Sequence, residues 1–109
     1  MNFELEKQWR EVSSEISKNF GEEIDLQTIL FLIGIQELNI EFDRFNKDQK
    51  IDIIHIGLCT VFEPYGYYVK EGVDKDGWPH FKNEKKLPNL NDKEQERIIK
   101  EAIIDYFKK

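Results

Sequence analysis

The strongest constraint on the fold is a run of seven residues without a polar side chain, at positions 29–35. Asp25 precedes the run as a plausible N-cap, and Gln36 and Glu37 continue it with good helix formers, which favours a helix over residues 26–39 rather than a buried β-strand. A helix that is apolar all round is a buried helix. A membrane span would need about 20 apolar residues, so the pattern indicates the central helix of a soluble domain.

Length and composition predict one compact domain over residues 1–109 with a heavily charged surface. Cys59 is the single cysteine, so an intramolecular disulfide is ruled out. The N-terminal residues have no basic or apolar leader pattern, and together these features predict a reducing, cytoplasmic location.

The formal charge of −6 is concentrated in the first part of the chain. Residues 1–46 hold ten acidic and four basic side chains, whereas residues 47–109 hold twelve of each. Such an N-terminal part repels phosphate, so nucleic-acid binding is disfavoured. It would suit a basic protein partner, although a solvated face is the commoner explanation.

Three further segments have the pattern of amphipathic helices. The first covers residues 3–20, with Gly21 as its expected C′ residue. The other two begin at capping boxes, one at residues 46–49 and one at 91–94, and run to about Phe62 and Phe107. The apolar stripe of the first helix consists of Leu5, Trp9, Val12, Ile16 and Phe20. The expected core face of the helix over 47–62 consists of Ile51, Ile54, Leu58, Val61 and Phe62, widened by Ile53 and Ile56, with Lys50, Asp52 and Thr60 left for water.

Gly34 and Gly57 lie inside the two most apolar helices, in similar contexts. Each costs about 1 kcal/mol relative to alanine, and a close helix crossing would explain why both are present. The connector between these helices contains Phe42 and Phe45, which we expect to fill the core.

A β-hairpin is predicted between the third and fourth helices. Residues 67–71 and 78–82 have strand composition and flank the loop 74–77, which suits a type I turn with Gly77 in the left-handed conformation. Pro79 cannot donate to a ladder, so its strand should be an edge. The predicted fold class is therefore α+β and mostly helical, with three helices, a hairpin and a C-terminal helix around the buried second helix.

Two spacings could indicate metal sites, but each has a better structural explanation. His55 and Cys59 lie four apart on one helix face, yet a zinc site takes four ligands, and a hydrogen-bonded core histidine beside a small buried cysteine is favoured. Residues 72–83 overlap part of a calcium loop but lack its first and twelfth ligands, so a hairpin turn is favoured. The sequence assigns no catalytic residue, cofactor or metal ligand.

Aromatic residues concentrate around the hairpin, and about half should face solvent because strand residues alternate. The outward rings could form a contact surface with lysines at its rim. The commoner alternative is that the rings cover the helices and only their hydroxyls reach water. The candidate interaction surface comprises Tyr67, Tyr68, Lys70, Trp78, His80 and Lys82.

Two sequence segments, residues 29–38 and 76–80, together with Tyr67-Tyr68, resemble a family of small uncharacterised bacterial proteins of the kind common in Bacteroidota. The resemblance covers nearly the whole chain and implies one intact domain. That family has no assigned activity, cofactor or catalytic residues, so no function is implied.

The leading hypothesis is a non-enzymatic interaction module that binds a protein partner, or a second copy of itself, through the aromatic hairpin or the acidic first helix. The alternative is a small ligand-binding protein or enzyme with a pocket near Tyr68, Trp78 and His80. A winged-helix DNA reader has a similar element order, but its third helix should carry basic and amide side chains, and here it carries Ile, Asp, His and Cys.

Overall fold

The computed structural model describes residues 3–18, 25–38, 44–86, 89 and 91–108. These residues form four α-helices and an antiparallel two-stranded hairpin, which confirms the α+β, mostly helical prediction. The elements are α1 (Phe3–Lys18), α2 (Leu26–Leu38), α3 (Lys47–Phe62), β1 (Tyr68–Val73), β2 (Pro79–Asn83) and α4 (Asp92–Lys108). None of the described helices combines the length and the apolar character needed to cross a membrane.

The two mid-helix glycines are where α2 and α3 cross. A Cβ atom at Gly34 would lie 2.1 Å from the carbonyl oxygen of Ile53, and one at Gly57 would lie 2.0 Å from that of Leu30. Both distances are far shorter than any van der Waals contact. The backbone of each helix therefore occupies the space that a side chain at the glycine of the other helix would need. The predicted close crossing is confirmed, and it makes the α2–α3 pair the centre of the molecule.

The core forms around this pair in two clusters. One cluster is built on Ile29, Leu30 and Ile33 of α2, together with residues at the end of α3 and in α4. The other is built on Leu38, Ile53 and Ile56, and it receives residues of the hairpin. Helix α2 is fully buried where it meets α3, while Phe31, Leu32 and Ile35 are half-buried.

The buried face of α3 differs from the predicted one. Ile51, expected in the core, is 56% exposed, whereas Ile53 is fully buried and Ile56 nearly so. Gly57 explains the difference, because its contact with α2 turns the face that carries Ile53 inward. Thr60 was expected to face water, but it is half-buried and its hydroxyl donates to the Ile56 carbonyl at 2.7 Å.

The predicted helix starts are confirmed by their hydrogen bonds. The Asp25 carboxylate accepts from the Thr28 amide at 2.8 Å and caps α2. At α3, the Asn46 side chain accepts from the Gln49 amide at 2.8 Å, and the Gln49 side chain accepts from the Asn46 amide at 3.0 Å. The second capping box starts α4 in the same way.

Some predictions fall on parts of the chain that lie outside the described residues. These are the end of the first helix at Phe20, its C′ residue Gly21, the last residue of the second helix at 39, and the core position of Phe42. Phe45 is described, and its half-buried ring packs against the second core cluster as expected.

The hairpin begins and ends one or two residues later than predicted. Its turn is as expected, because the Gly77 amide donates to the Asp74 carbonyl at 3.0 Å and Gly77 has φ +91°. A bulge between Lys70 and Gly72 breaks the register, and Gly72 has φ +144° there. The bulge was not predicted, and it changes which side chains of β1 share a face with β2.

Helix α4 connects α1 to the rest of the molecule. The ammonium group of Lys100 lies 3.9 Å from a carboxylate oxygen of Glu6 and 5.4 Å from the ring centre of Trp9. At the other side of α4, the Tyr65 hydroxyl donates to Asp105. Helix α4 therefore joins α1 to the segment that leads into the hairpin.

Candidate functional site

A cleft between α3 and the hairpin brings together both histidines of the chain. Its volume is about 540 Å³, and we call it the α3–hairpin cleft. The apolar floor consists of Ile56, Trp78, Pro79 and Phe81. The polar rim consists of Gln49, Asp52, His55, Asp74, Asp76 and His80.

The floor is held by the second core cluster. Trp78 and Phe81 are half-buried and pack against Leu38, Ile53 and Ile56. The Trp78 ring also meets the Phe45 ring edge to face, with centres 6.2 Å apart. These contacts fix the hairpin on α3, because an isolated hairpin is only marginally stable in water.

Asp74 organises the turn end of the cleft with both of its carboxylate oxygens. Oδ1 accepts from the amides of Asp76 and Trp78, at 2.9 and 3.0 Å. Oδ2 lies 2.8 Å from Nε2 of His80. The hydrogen bond from His80, supported by the one from the Trp78 amide, holds the pKa of Asp74 below its usual 3.8.

The Asp74 contact also fixes the tautomer of His80. An ionised carboxylate can only accept hydrogen bonds, so Nε2 carries a proton. In the neutral ring Nδ1 is then an acceptor. The His80 side chain is 62% exposed, so this imidazole can meet a ligand.

His55 stands at the rim, and the prediction of a core histidine is wrong. Its side chain is exposed, while Cys59 one turn later is fully buried. Nε2 of His55 lies 3.4 Å from the sulfur of Cys59, and the His55 and Tyr68 rings form a T-shaped contact with centres 6.1 Å apart. His55 faces outward because the α2 crossing turns the Ile53 and Gly57 side of α3 inward.

Cys59 is not a reactive thiol. Burial raises its pKa to about 12, so the nucleophilic thiolate is scarce at neutral pH. The sulfur lies outside the lining of the cleft. The neighbouring imidazole does not offset the cost of placing a charge in the core.

The chemistry of the lining is that of a binding site rich in hydrogen-bond acceptors. Its described residues include three aspartates and two histidines, with no serine, threonine, tyrosine or cysteine to act as a nucleophile. Throughout the described part of the chain, no group of three or more His, Cys, Asp or Glu side chains is arranged to hold a metal ion.

The structure separates the predicted interaction residues. Trp78 and His80 line the cleft, whereas Tyr68 is outside its lining and meets the His55 ring in a T-shaped contact. Tyr67 packs against Phe62, with ring centres 5.8 Å apart. The rings of Tyr67, Tyr68 and Trp78 are thus turned toward the two core clusters.

The two hairpin lysines are not neighbours. Lys70 lies opposite Phe81, and Lys82 lies opposite Val69, so the lysines are on opposite faces of the hairpin. The Lys82 ammonium is 3.7 Å from Glu84. The backbone amide of Lys70 donates to the Glu63 carboxylate at 3.1 Å, which covers part of the free edge of β1.

Sequence reasoning missed most of the polar rim. Gln49, Asp52 and His55 follow one another at intervals of three along α3, a spacing that places them near one helix face. That polar stripe was a usable signal. The predicted rotation of α3 hid it, since it placed His55 in the core.

Comparisons with known proteins add no assignment. No family model, curated protein or solved structure matches the chain. The resemblance to a bacterial family therefore stays a prediction.

Proposed function

We propose that this chain is a small ligand-binding protein whose binding site is the α3–hairpin cleft. One observation carries the proposal: both imidazoles, three carboxylates and an indole, which come from two separate elements, converge on one concave surface with an apolar floor. Concave sites with an apolar lining and a few placed polar groups are typical of ligand pockets.

The preorganisation of the cleft supports this function. The Trp78 ring is held by Phe45 and the second core cluster, and the His80 ring is held by Asp74. Groups that are already ordered lose little further entropy when a ligand binds. The cleft therefore presents two rings that are already held in place, those of Trp78 and His80.

Binding is favoured over catalysis by the composition of the lining. A histidine oriented by an aspartate can act as a general base, but covalent catalysis also needs a nucleophile within hydrogen-bond reach. The described lining residues offer no hydroxyl or thiol that such a base could activate. A hydrolytic role would have to use water or a rim carboxylate as the nucleophile, and no further feature of the rim points to it.

The test uses Trp78 as a reporter. The chain has two tryptophans, so a Trp9→Phe variant leaves Trp78 as its single indole. This variant is titrated with a library of small metabolites while its emission is recorded. We expect a saturable change with at least one compound, because Trp78 lies in the floor of the cleft.

A pair of double variants shows where the compound binds. Asp52→Ala/His80→Ala removes polar groups from the rim, and Glu15→Ala/Lys93→Ala removes exposed side chains of α1 and α4. Only the first pair should weaken binding, by about tenfold or more. The proposal fails if no compound gives a saturable change, or if both pairs affect binding equally.

A protein contact through the hairpin is the second candidate. It is supported by Val69 and Val73 of β1, which are 45% and 58% exposed. Exposed apolar side chains on a short two-stranded sheet could meet a partner or a second copy. Sedimentation velocity at increasing concentration tests the second copy: Val69→Glu should abolish self-association, and a monomer at all concentrations would contradict it.

A further inference from the structure

We propose that the ligand of the α3–hairpin cleft is a small organic cation, an ammonium group carried on an apolar body. This inference rests on the proposed function, since it names the class of ligand that the cleft would take. It follows from three features of the lining: its charge, its hydrogen-bonding groups and its indole.

The charge of the lining has one sign. Three aspartates lie in the rim, and the described residues of the lining include no lysine or arginine. Asp74 is engaged with His80, but Asp52 and Asp76 form no ion pair with any described residue. An anionic ligand would face repulsion from both free carboxylates, whereas a cation would be attracted.

The hydrogen-bonding groups of the rim are mainly acceptors. Asp52 and Asp76 can only accept while ionised, and Nδ1 of neutral His80 accepts because Nε2 is held by Asp74. An ammonium group has three donors and no acceptor. Its donors therefore match a rim that has more acceptors than donors.

Trp78 and the apolar floor would contact the cation and the apolar body of the ligand. An indole face attracts cations more strongly than any other aromatic side chain. Ile56 and Pro79 are buried beside it and offer an apolar surface. A hydrated metal ion would leave this surface unused, and an apolar body would cover it.

The experiment compares three compounds of nearly equal shape. Phenethylamine is the cation, 2-phenylethanol the neutral analogue and 3-phenylpropanoate the anion. Each is titrated into the full chain by isothermal calorimetry at neutral pH and low salt. We expect the amine to bind about tenfold or more tightly than the alcohol, and the carboxylate to give no measurable heat. The advantage of the amine should decrease as salt is added.

Charge-neutralising variants locate the effect. Asp52→Asn/Asp76→Asn removes both free carboxylates and should reduce the preference for the amine over the alcohol by about fivefold or more. Asp92→Asn removes one exposed carboxylate outside the cleft and should leave the preference unchanged. Circular dichroism is the control for folding, and we expect the variants to be folded because the changes are on the surface.

The outcomes separate this inference from the proposed function. If the alcohol or the carboxylate binds as tightly as the amine, or if other compounds change Trp78 emission while the amine does not bind, the cation inference is overturned and the cleft remains a binding site. If neither the amine nor any library compound binds, the proposed function fails, and the inference fails with it.

Discussion

Gly34 and Gly57 are the residues on which the central packing depends most. At an exposed helix position, Gly→Ala stabilises by about 1 kcal/mol through helix propensity. Here the new methyl group would meet a carbonyl oxygen at 2.1 Å or 2.0 Å. Backbone atoms cannot move aside as a flexible side chain can, so the two helices would have to separate.

We expect Gly34→Ala and Gly57→Ala each to lower the free energy of unfolding by at least about 2 kcal/mol, since overpacking outweighs propensity. Urea unfolding measures the change. Ser14→Ala, at an exposed position of α1, is the control and should alter stability by less than about 0.5 kcal/mol. A gain in stability at either glycine would contradict the crossing.

The Cys59 thiol should be unreactive in the folded protein. Its sulfur is fully buried and its pKa is raised to about 12 by burial. We expect no reaction with Ellman's reagent in native buffer and one thiol per chain in denaturant. Rapid labelling of the native protein would contradict this prediction, because it would show that reagent reaches the Cys59 sulfur from the His55 side of α3.

The Asp74–His80 pair should be visible in an acid titration. Because the pKa of Asp74 is lowered below 3.8 in the fold, this group stabilises the fold at pH values above 3.8, and that contribution is lost as the pH falls through the lowered value. Carboxyl carbon NMR should give a pKa below 3.8 for Asp74 in the intact chain. The His80→Ala substitution should raise that pKa. An Asp74 pKa that does not respond to His80→Ala would contradict the contact.

At the scale of elements, the helix starts were predictable because caps are local. Asn46 and Gln49 exchange two hydrogen bonds within four residues, so no tertiary information was needed to place the start of α3. The same holds for Asp25 at α2 and for Asn91 at α4.

We expect Asn46→Ala to lower the free energy of unfolding by about 1 kcal/mol, because the Gln49 amide loses its acceptor. Asn46→Asp keeps an oxygen in the same place and should be nearly neutral. Thermal unfolding of both variants is the measurement. Equal effects of the two substitutions would mean that the cap contributes nothing beyond local composition.

The rotation of α3 was not predictable from its apolar pattern alone. Isoleucines at 51, 53, 54 and 56 cover much of the helix surface, so several faces could pack inward. Gly57 resolves the ambiguity, since a crossing at that glycine brings Ile53 inward and leaves Ile51 and His55 outside. The apolar pattern of α3 therefore identifies the buried face only when it is combined with the glycine crossing.

At the scale of the whole molecule, the cleft exists because two distant segments meet. Asp52 and His55 belong to α3, while Asp74 and His80 belong to the hairpin. Nothing local to either segment shows that they are neighbours. The docking of Trp78 and Phe81 on the second core cluster brings them together, and that contact is tertiary.

The location of any site therefore could be predicted only in part. The concentration of aromatic residues around the hairpin predicts Trp78 and His80 as site residues, and both line the cleft. The carboxylates were missed, because in a chain with 22 acidic residues no single aspartate stands out by sequence. The bulge at Gly72, which alters the alignment of β1 with β2, left no clear sequence signal either.

The most direct test of cation binding in the α3–hairpin cleft is a two-dimensional ¹⁵N NMR titration of the labelled chain with phenethylamine. We expect saturable shifts for the Trp78 indole and for the amides of Asp52, His55, Asp76 and His80, with the resonances of α1 unchanged. Shifts that concentrate on α1, or no saturable shift at the cleft, would contradict cation binding in the α3–hairpin cleft.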